Sequence, residues 1–107
     1  MVGMLLGIAL SACLPTALDK IEGNLQAAQP VINALENHYN DFERYPNDIE
    51  ALVPHYLDAI PTLAEEQKLR YTAAAKSYEL YFEVDQDTAC RYTSELERWD
   101  CSLTPGP

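Results

Sequence analysis

Basic residues are scarce in this sequence. Seven lysines and arginines stand against 17 aspartates and glutamates, so the formal net charge is -10. An acidic surface repels the phosphates of nucleic acids and of anionic lipid headgroups, and we expect neither as a ligand. The sequence also lacks a phosphate-binding loop, a dinucleotide-binding fingerprint and a nucleophile elbow. These absences favour a protein that is not an enzyme, that binds no cofactor and that has no small-molecule substrate.

Charged residues are absent from the first 18 positions, which are largely apolar. A short apolar centre is followed by the run LSAC at residues 10–13, and small residues before a cleavage point are typical of a signal peptide. This run resembles the lipobox of bacterial lipoproteins, whose cysteine receives a diacylglycerol thioether and becomes the mature N-terminus. The resemblance implies a signal peptide over residues 1–12, lipid attachment at Cys13 and a tether over residues 13–17.

The start of this segment departs from the pattern, because a signal peptide normally begins with basic residues and residues 1–3 contain none. An upstream start codon would explain the difference, and residues 1–18 would then be the end of a transmembrane helix of about 20 residues. A third interpretation is a buried N-terminal helix with Cys13 in the core. Both membrane interpretations predict an envelope protein facing the periplasm, and Leu14 after the cysteine slightly favours the outer membrane.

An apolar stripe with spacings of three and four follows this segment. Such spacing predicts an amphipathic α-helix. The stripe stays in phase across Pro30, so we expect a kink there rather than a break. The repeat is short for a coiled coil, which favours packing of the helix onto the protein's own sheet. The stripe consists of Leu18, Ile21, Leu25, Ala28, Ile32, Leu35, Tyr39 and Phe42.

The remaining elements are predicted from turn and strand signals. The helix should end before Pro46, because the residue ahead of a proline is pushed towards an extended conformation. Asn47, with Glu50 three positions later, predicts the N-cap of a short second helix. Period-two alternation predicts a strand over residues 78–84, with a hairpin partner at 69–73.

Two weaker strands are expected at 90–93 and 98–103, and residues 104–107 should form a loose tail. The predicted fold is therefore α+β. A long N-terminal amphipathic helix packs on a small antiparallel sheet, with a short second helix after the Tyr-Pro turn. We expect one domain over residues 13–107.

The stretch ALENHYNDFERYPNDIEALVPHYLDAIP at residues 34–61 resembles the middle of type IV pilin-like proteins, in particular the major pseudopilins of type II secretion systems. The matching residues are Asp41, Arg44, Tyr45, Pro46 and Leu52, with Tyr71 and residues 78–82 in the strands. The prepilin leader and its assembly glutamate are absent. The resemblance thus implies a pilin-like fold more than a role in a pilus.

Three cysteines are present. If Cys13 carries the lipid, Cys90 and Cys101 remain as a pair, and we expect them to form a disulfide. Such a bond requires an oxidising compartment, which agrees with an envelope location. Two reduced cysteines are the alternative. Trp99 and Tyr92 are expected to form a satellite core beside the disulfide, although Trp99 would also suit contact with a partner.

Acidic side chains cluster at the end of the predicted strand, at Glu83, Asp85 and Asp87. Carboxylate oxygens suit calcium, and some pseudopilins bind calcium in a late loop. The spacing follows no strict motif, so we favour a solvated turn and predict no metal site. His38 and His55 are expected on the surface.

These observations predict a non-enzymatic, membrane-anchored envelope lipoprotein with a pilin-like domain, acting as an interaction or structural component. Its envelope partner is not indicated by the sequence. The alternative is a pseudopilin or minor pilin whose start codon lies further upstream.

Overall fold

The computed structural model describes residues 17–105. The predicted signal peptide, the lipid-attachment residue Cys13, most of the tether and the last two residues of the tail lie outside the described residues. Within them the chain forms a long helix, α1 (Ala17–Phe42), followed by two short 3-10 helices (Ile49–Leu52 and Ala64–Glu66). Four strands complete the domain: β1 (Arg70–Ala73), β2 (Tyr78–Glu83), β3 (Ala89–Thr93) and β4 (Arg98–Leu103).

The four strands form one antiparallel sheet in the order β1-β2-β3-β4. Each strand therefore pairs with its neighbours in sequence, and short turns suffice to connect them. The long helix packs on one face of this sheet. The predicted α+β fold, with a long amphipathic helix on a small antiparallel sheet, is confirmed.

The helix buries the middle of its apolar stripe and exposes both ends. Leu18 and Phe42 are 63% and 58% exposed, respectively. The reason is length, because 26 helical residues span about 39 Å whereas a six-residue strand spans about 20 Å. The helix is therefore longer than the sheet on which it packs, and its two ends extend beyond the sheet. Its buried residues are Asn24, Ala28, Val31, Ile32, Ala34 and Leu35.

Pro30 lies inside α1, which continues across it. Proline removes the hydrogen bond that the carbonyl of Gln26 would accept. Both residues lie on the exposed side of the helix, where water satisfies that carbonyl at little cost. The continuity predicted from the in-phase stripe is confirmed.

β2 supplies the centre of the sheet. Tyr78, Leu80 and Phe82 face the helix and are buried, whereas the residues between them are partly exposed. This is the predicted alternation. Each large apolar side chain transferred from water contributes about 1.5–3 kcal/mol to folding. The buried faces of α1 and β2 that meet here therefore provide a large part of the free energy of the core.

The short helix after the Tyr-Pro turn begins one residue later than predicted. Its N-cap is Asp48, whose carboxylate oxygen accepts a hydrogen bond from the amide of Glu50 at 3.0 Å. The prediction of Asn47 as the cap was wrong. A 3-10 turn closes between residues three apart, and the amide of Ala51 donates to the carbonyl of Asp48. This bond places the cap at Asp48, and Leu52 is then fully buried.

One end of the molecule, here called the far end, is formed by residues 42–46, 74–77 and 94–97. The amide of Tyr45 donates to the carbonyl of Ala75 at 2.9 Å, which joins the Tyr-Pro turn to the β1–β2 turn. The β3–β4 turn lies at the same end of the sheet, where the amide of Ser94 donates to the carbonyl of Tyr78 at 3.0 Å.

The opposite end, here called the near end, is formed by residues 17–24 and 62–66. The side-chain oxygen of Asn24 accepts a hydrogen bond from the amide of Ala64 at 2.9 Å. The ammonium of Lys20 lies 2.6 Å from the carboxylate of Glu65. These contacts hold the start of the helix against the loop that leads into β1. The chain enters the domain at this end.

The burial of the core can be tested by comparing substitutions of a buried and an exposed leucine. Leu80→Ala should lower the free energy of unfolding by about 2–5 kcal/mol, because Leu80 is fully buried and its loss leaves a cavity. Leu96→Ala removes the same atoms from a side chain that is 62% exposed, and its effect should stay within about 0.5 kcal/mol. Urea unfolding measures both changes. Equal effects of the two substitutions would contradict the burial described here.

Candidate functional site

The structure joins Cys90 and Cys101, whose sulfur atoms lie 2.09 Å apart. The two residues are 11 positions apart in sequence and lie on the adjacent strands β3 and β4. Cys90 is fully buried. The predicted pairing is therefore present, and it closes the β3–β4 hairpin. Cys13, the third predicted site residue among the cysteines, lies outside the described residues.

Trp99 packs beside this hairpin on the main core. Its ring centroid lies 5.4 Å from that of Tyr92 and 5.3 Å from that of Phe82. Tyr92 and Phe82 both belong to the buried cluster that contacts α1. Trp99 and the disulfide thus extend the principal core and do not form the separate satellite core that was expected.

Two of the three carboxylates considered for calcium make separate contacts. Glu83 lies 3.9 Å from the guanidinium of Arg70 and accepts a hydrogen bond from the Tyr81 hydroxyl at 3.4 Å. Asp85 accepts a hydrogen bond from the amide of Asp87 at 2.8 Å, which closes the β2–β3 turn. Among residues 17–105, no three His, Cys, Asp or Glu side chains are grouped to hold a metal ion. The structure does not bring these candidates together.

The two histidines differ in burial. His55 is exposed, as predicted, but His38 is half-buried. The His38 ring lies 4.7 Å from the ring of Phe42 and 5.5 Å from that of Tyr56. Its Nδ1 lies 2.8 Å from the carbonyl oxygen of Arg44, so this nitrogen carries the proton and donates. His38 therefore holds the last turn of α1 against the residues that follow the helix.

The Tyr-Pro turn attaches the end of α1 to the sheet. Tyr45 is buried, and its hydroxyl donates to the carboxylate of Glu36 at 3.0 Å. The Tyr71 hydroxyl of β1 donates to the carbonyl of Pro46 at 2.6 Å. The Tyr45 ring lies 4.7 Å from that of Tyr78. Tyr45, Pro46 and Tyr71, which are among the residues that carry the pilin resemblance, thus perform a packing role.

Burial keeps these phenols neutral. Desolvation raises the pKa of Tyr71 to about 12, with a smaller contribution from the charge of Asp48. Burial also raises the pKa of Tyr45, and the hydrogen bond to Glu36 adds to this effect. The Tyr78 hydroxyl is buried and interacts with the Tyr92 hydroxyl, but no group in residues 17–105 meets strict hydrogen-bond geometry with it. The cluster contributes apolar contact and fixed hydrogen bonds, and none of its hydroxyls is poised as a base.

The outer face of the sheet carries charges of both signs. Arg70, Tyr81, Arg91 and Asp100 form one row across the four strands. The Arg91 guanidinium lies 3.3 Å from the carboxylate of Glu79. Opposite charges on neighbouring strands stabilise the pairing modestly. This face therefore resembles a solvated surface more than a reactive site.

A shallow depression of about 620 Å³ lies on the β3–β4 hairpin. Its two arginines, Arg91 and Arg98, were not predicted as site residues. The outward positions of the two strands would have identified them, because alternation places residues 91, 93, 98 and 100 on one face. The depression combines cations with apolar side chains, which suits contact with another macromolecule. Its lining residues are Arg91, Thr93, Leu96, Arg98, Trp99, Asp100, Cys101 and Ser102.

No protein-family model, curated protein or solved structure matches this chain. The likeness to pilin-like proteins therefore depends on residues 34–61 and on the order of the elements. In the part of the chain that the structure describes, no helix is long and apolar enough to cross a membrane.

The tyrosines of this cluster provide a matched pair of substitutions. Tyr71→Phe should lower the free energy of unfolding by about 1–3 kcal/mol, because the carbonyl of Pro46 loses its donor. Tyr78→Phe should change the free energy of unfolding by less than about 1 kcal/mol, because the buried Tyr78 hydroxyl meets no strict hydrogen-bond geometry and interacts only weakly with the Tyr92 hydroxyl. Urea unfolding compares the two. A larger loss for Tyr78→Phe would contradict these hydrogen-bond assignments.

The disulfide can be tested in protein isolated from cells. Peptide mapping without reductant should recover Cys90 linked to Cys101. Reduction should then lower the free energy of unfolding by about 2–3 kcal/mol, the effect expected for so short a loop. Recovery of free thiols at both positions from envelope-derived protein would refute the pairing.

Proposed function

We propose that this protein is a non-enzymatic lipoprotein of the bacterial envelope, anchored in a membrane through Cys13 and facing the periplasm. Its folded domain is a pilin-like interaction or structural component. The outer membrane is slightly favoured over the inner membrane, on account of Leu14. The proposal assigns no catalytic residue, no cofactor and no nucleic-acid ligand.

The observation that carries this proposal is the pairing of Cys90 with Cys101. Of the three cysteines in the chain, it leaves Cys13 for the thioether, within the run that resembles a lipobox. A structural disulfide is typical of proteins outside the reducing cytoplasm. The leader and the domain thus support the same compartment by separate routes.

The position of the helix start agrees with an anchor at Cys13. That residue precedes Ala17, the first residue of α1, by four positions. Four residues span at most about 14 Å, so a lipid on Cys13 would hold the near end close to the membrane. The net charge of -10 opposes contact of the whole domain with anionic headgroups. The far end would then face the periplasm.

The pilin-like assignment is supported by the order of the elements and by the Tyr-Pro turn. A long helix, a buried Tyr45-Pro46 turn, a short helix with buried Leu52 and an antiparallel meander follow one another. The same order favours the second candidate, a pseudopilin or minor pilin with an upstream start. That candidate requires in-frame upstream codons for a basic leader and a prepilin motif, and a stop codon close upstream would exclude it.

Mass spectrometry of the membrane fraction tests the lipid anchor. The mature protein should begin at Cys13 and carry the mass of a diacylglycerol thioether. Cys13→Ser should lose that mass and leave the membrane fraction, because a single sulfur carries the anchor. Cys101→Ser is the matched control, and it should keep the lipid. An unmodified Cys13 in a full-length product would refute the proposed anchor.

A further inference from the structure

The strand β4 forms one edge of the sheet, and its outer side is open. The strand order places β4 next to β3 alone, so within residues 17–105 no other strand pairs with it. Every residue from 98 to 102 lines the depression on the β3–β4 hairpin, so this stretch is accessible. A free edge displays backbone amides and carbonyls with which a further strand pairs.

The hydrogen bonds between β2 and β3 identify which groups of β4 point outward. The amide of Ser94 donates to the carbonyl of Tyr78 at 3.0 Å, so these residues form a hydrogen-bonded pair. Such pairs alternate along an antiparallel ladder, and Tyr92 therefore also directs its amide and carbonyl towards β2. Trp99 lies opposite Tyr92 on β4, and its own amide and carbonyl consequently point to the open edge. By the same alternation Cys101 points in the same direction.

A bulge limits the open part of this edge. The register of β3 and β4 shifts between Ala89 and Arg91, where β4 contains one extra residue. The Asp100 carboxylate accepts hydrogen bonds from the amide of Ser102 at 3.0 Å and from the Ser102 hydroxyl. The Ser102 amide is thus already bonded within its own strand. An added strand would therefore pair with residues 98–101.

The opposite edge of the sheet offers less room for an added strand. β1 has four residues, whereas β4 has six. The Tyr71 hydroxyl of β1 donates to the carbonyl of Pro46, and the amide of Tyr45 donates to the carbonyl of Ala75 just after β1. The Tyr-Pro turn is therefore bonded to the end of β1, and β4 is the longer and more open edge.

The side chains of β4 indicate what an added strand would carry. Arg98 and Asp100 are exposed on the outer face of the sheet, and Trp99 between them is half-buried on the face that packs on α1. Directly opposed residues of adjacent strands share a face, and their charges interact. Antiparallel pairing therefore favours an acidic residue opposite Arg98, an apolar residue opposite Trp99 and a basic residue opposite Asp100. Hydrogen bonds from Ser102 lower the pKa of Asp100, so this position stays charged.

A second copy of β4 would meet the same charge requirement, because antiparallel pairing about Trp99 places Arg98 of each copy opposite Asp100 of the other. Such pairing turns the near ends of the two molecules in opposite directions. The proposed lipid on Cys13 requires both near ends to face one membrane, and each copy carries a net charge of -10. The edge therefore suits a segment of another protein better. This step rests on the proposed function.

We propose that the open edge of β4 is a docking site for an extended segment of a partner protein, which adds to the four-stranded sheet as an antiparallel strand. Backbone hydrogen bonds to Trp99 and Cys101 hold the segment. Its basic and acidic residues, separated by one apolar residue, lie opposite Asp100 and Arg98. Backbone pairing supplies affinity, and the alternate side chains select the segment and its direction.

Two neutral peptides of equal composition and with blocked ends test the site. The matched peptide, Thr-Val-Lys-Val-Glu-Thr, places its lysine opposite Asp100 and its glutamate opposite Arg98 when the strands are antiparallel. The exchanged peptide has the lysine and the glutamate swapped. Each is titrated into the full-length, isotope-labelled chain in zwitterionic nanodiscs and followed by NMR.

The matched peptide should bind about fivefold more tightly than the exchanged peptide, because both of its charges meet opposite charges on β4. Amide shifts should concentrate in residues 98–101 and should be absent from β1. Equal affinities, tighter binding of the exchanged peptide, or shifts spread over the whole acidic surface would overturn the proposal.

Methylation of single peptide amides separates backbone pairing from charge attraction. In the matched peptide the valine between lysine and glutamate lies opposite Trp99, and its amide donates to the Trp99 carbonyl in the proposed pairing. An N-methyl group there should abolish binding. The amide of the lysine points away from β4, so its methylation should have a much smaller effect. Similar losses from the two modifications would contradict strand addition.

A substitution on β4 tests the charge requirement. Arg98→Asp should remove the preference between the two peptides, because each then meets one like and one opposite charge. Arg70→Asp is the matched control on the exposed edge strand β1, and it should keep the preference. Unchanged amide spectra away from each substitution verify that both variants are folded. Loss of the preference in both variants would refute the assignment to β4.

Dimerisation of the chain through residues 98–101 without peptide would also overturn the proposal, because it would assign the edge to a second copy. None of these measurements depends on the mass of Cys13. A lipid-bearing protein that fails the titrations keeps its proposed anchor and loses the docking site. A protein without the lipid that binds the peptides as described keeps the docking site and loses the anchor.

Discussion

The burial of one helix face against one strand face is the interaction on which the structure depends. Val31 and Leu35 of α1 and Leu80 and Phe82 of β2 are fully buried. Neither partner is expected to be stable alone, because Pro30 divides the 26 residues of α1 into halves of about 13, a length at which an isolated helix is marginal in water. Short strands likewise need a cover for their apolar face. Each element provides the surface that the other requires.

Polar contacts at the two ends give this apolar interface a fixed direction. Near the start of α1, Asn24 is bonded to the amide of Ala64. Beyond its other end, the Tyr45 amide is bonded to the carbonyl of Ala75. A purely apolar contact would allow the helix to slide along the sheet, whereas these directional bonds require one register. The near end, on which the proposed anchor depends, and the far end opposite it are therefore set by the fold.

The sequence predicts the elements well where the signal is a local period. The three-and-four spacing of α1 and the alternation of β2 need no knowledge of the rest of the chain. Other features depend on partners distant in sequence. The 3-10 helix at Ala64–Glu66 was not predicted, and its Glu65 and Glu66 adopt left-handed backbone angles that no residue preference indicates.

The site residues likewise divide into those predicted by a local signal and those that depend on distant partners. The pairing of Cys90 with Cys101 was predicted by counting cysteines on the condition that Cys13 carries the lipid. The half-burial of His38 could not be predicted, because it depends on where Tyr56 returns after the turn. Glu83 contacts Arg70 across the sheet, whereas Asp85 accepts a hydrogen bond inside the turn that follows β2, and the spacing of the carboxylates predicts neither contact. Phe42 is exposed because the helix is longer than the sheet. The apolar stripe alone gives no information about the length of the sheet.

Native-state hydrogen exchange of the full-length chain tests the dependence of helix and sheet on one another most directly. If the account is correct, amides in the buried middle of α1, residues 28–35, and amides of β2 will exchange only through global unfolding and will show the same, largest protection. Amides of residues 17–20 and 94–97 will exchange faster. Rapid exchange throughout α1 while β2 stays protected would show that the sheet is stable without the helix, and it would contradict the account.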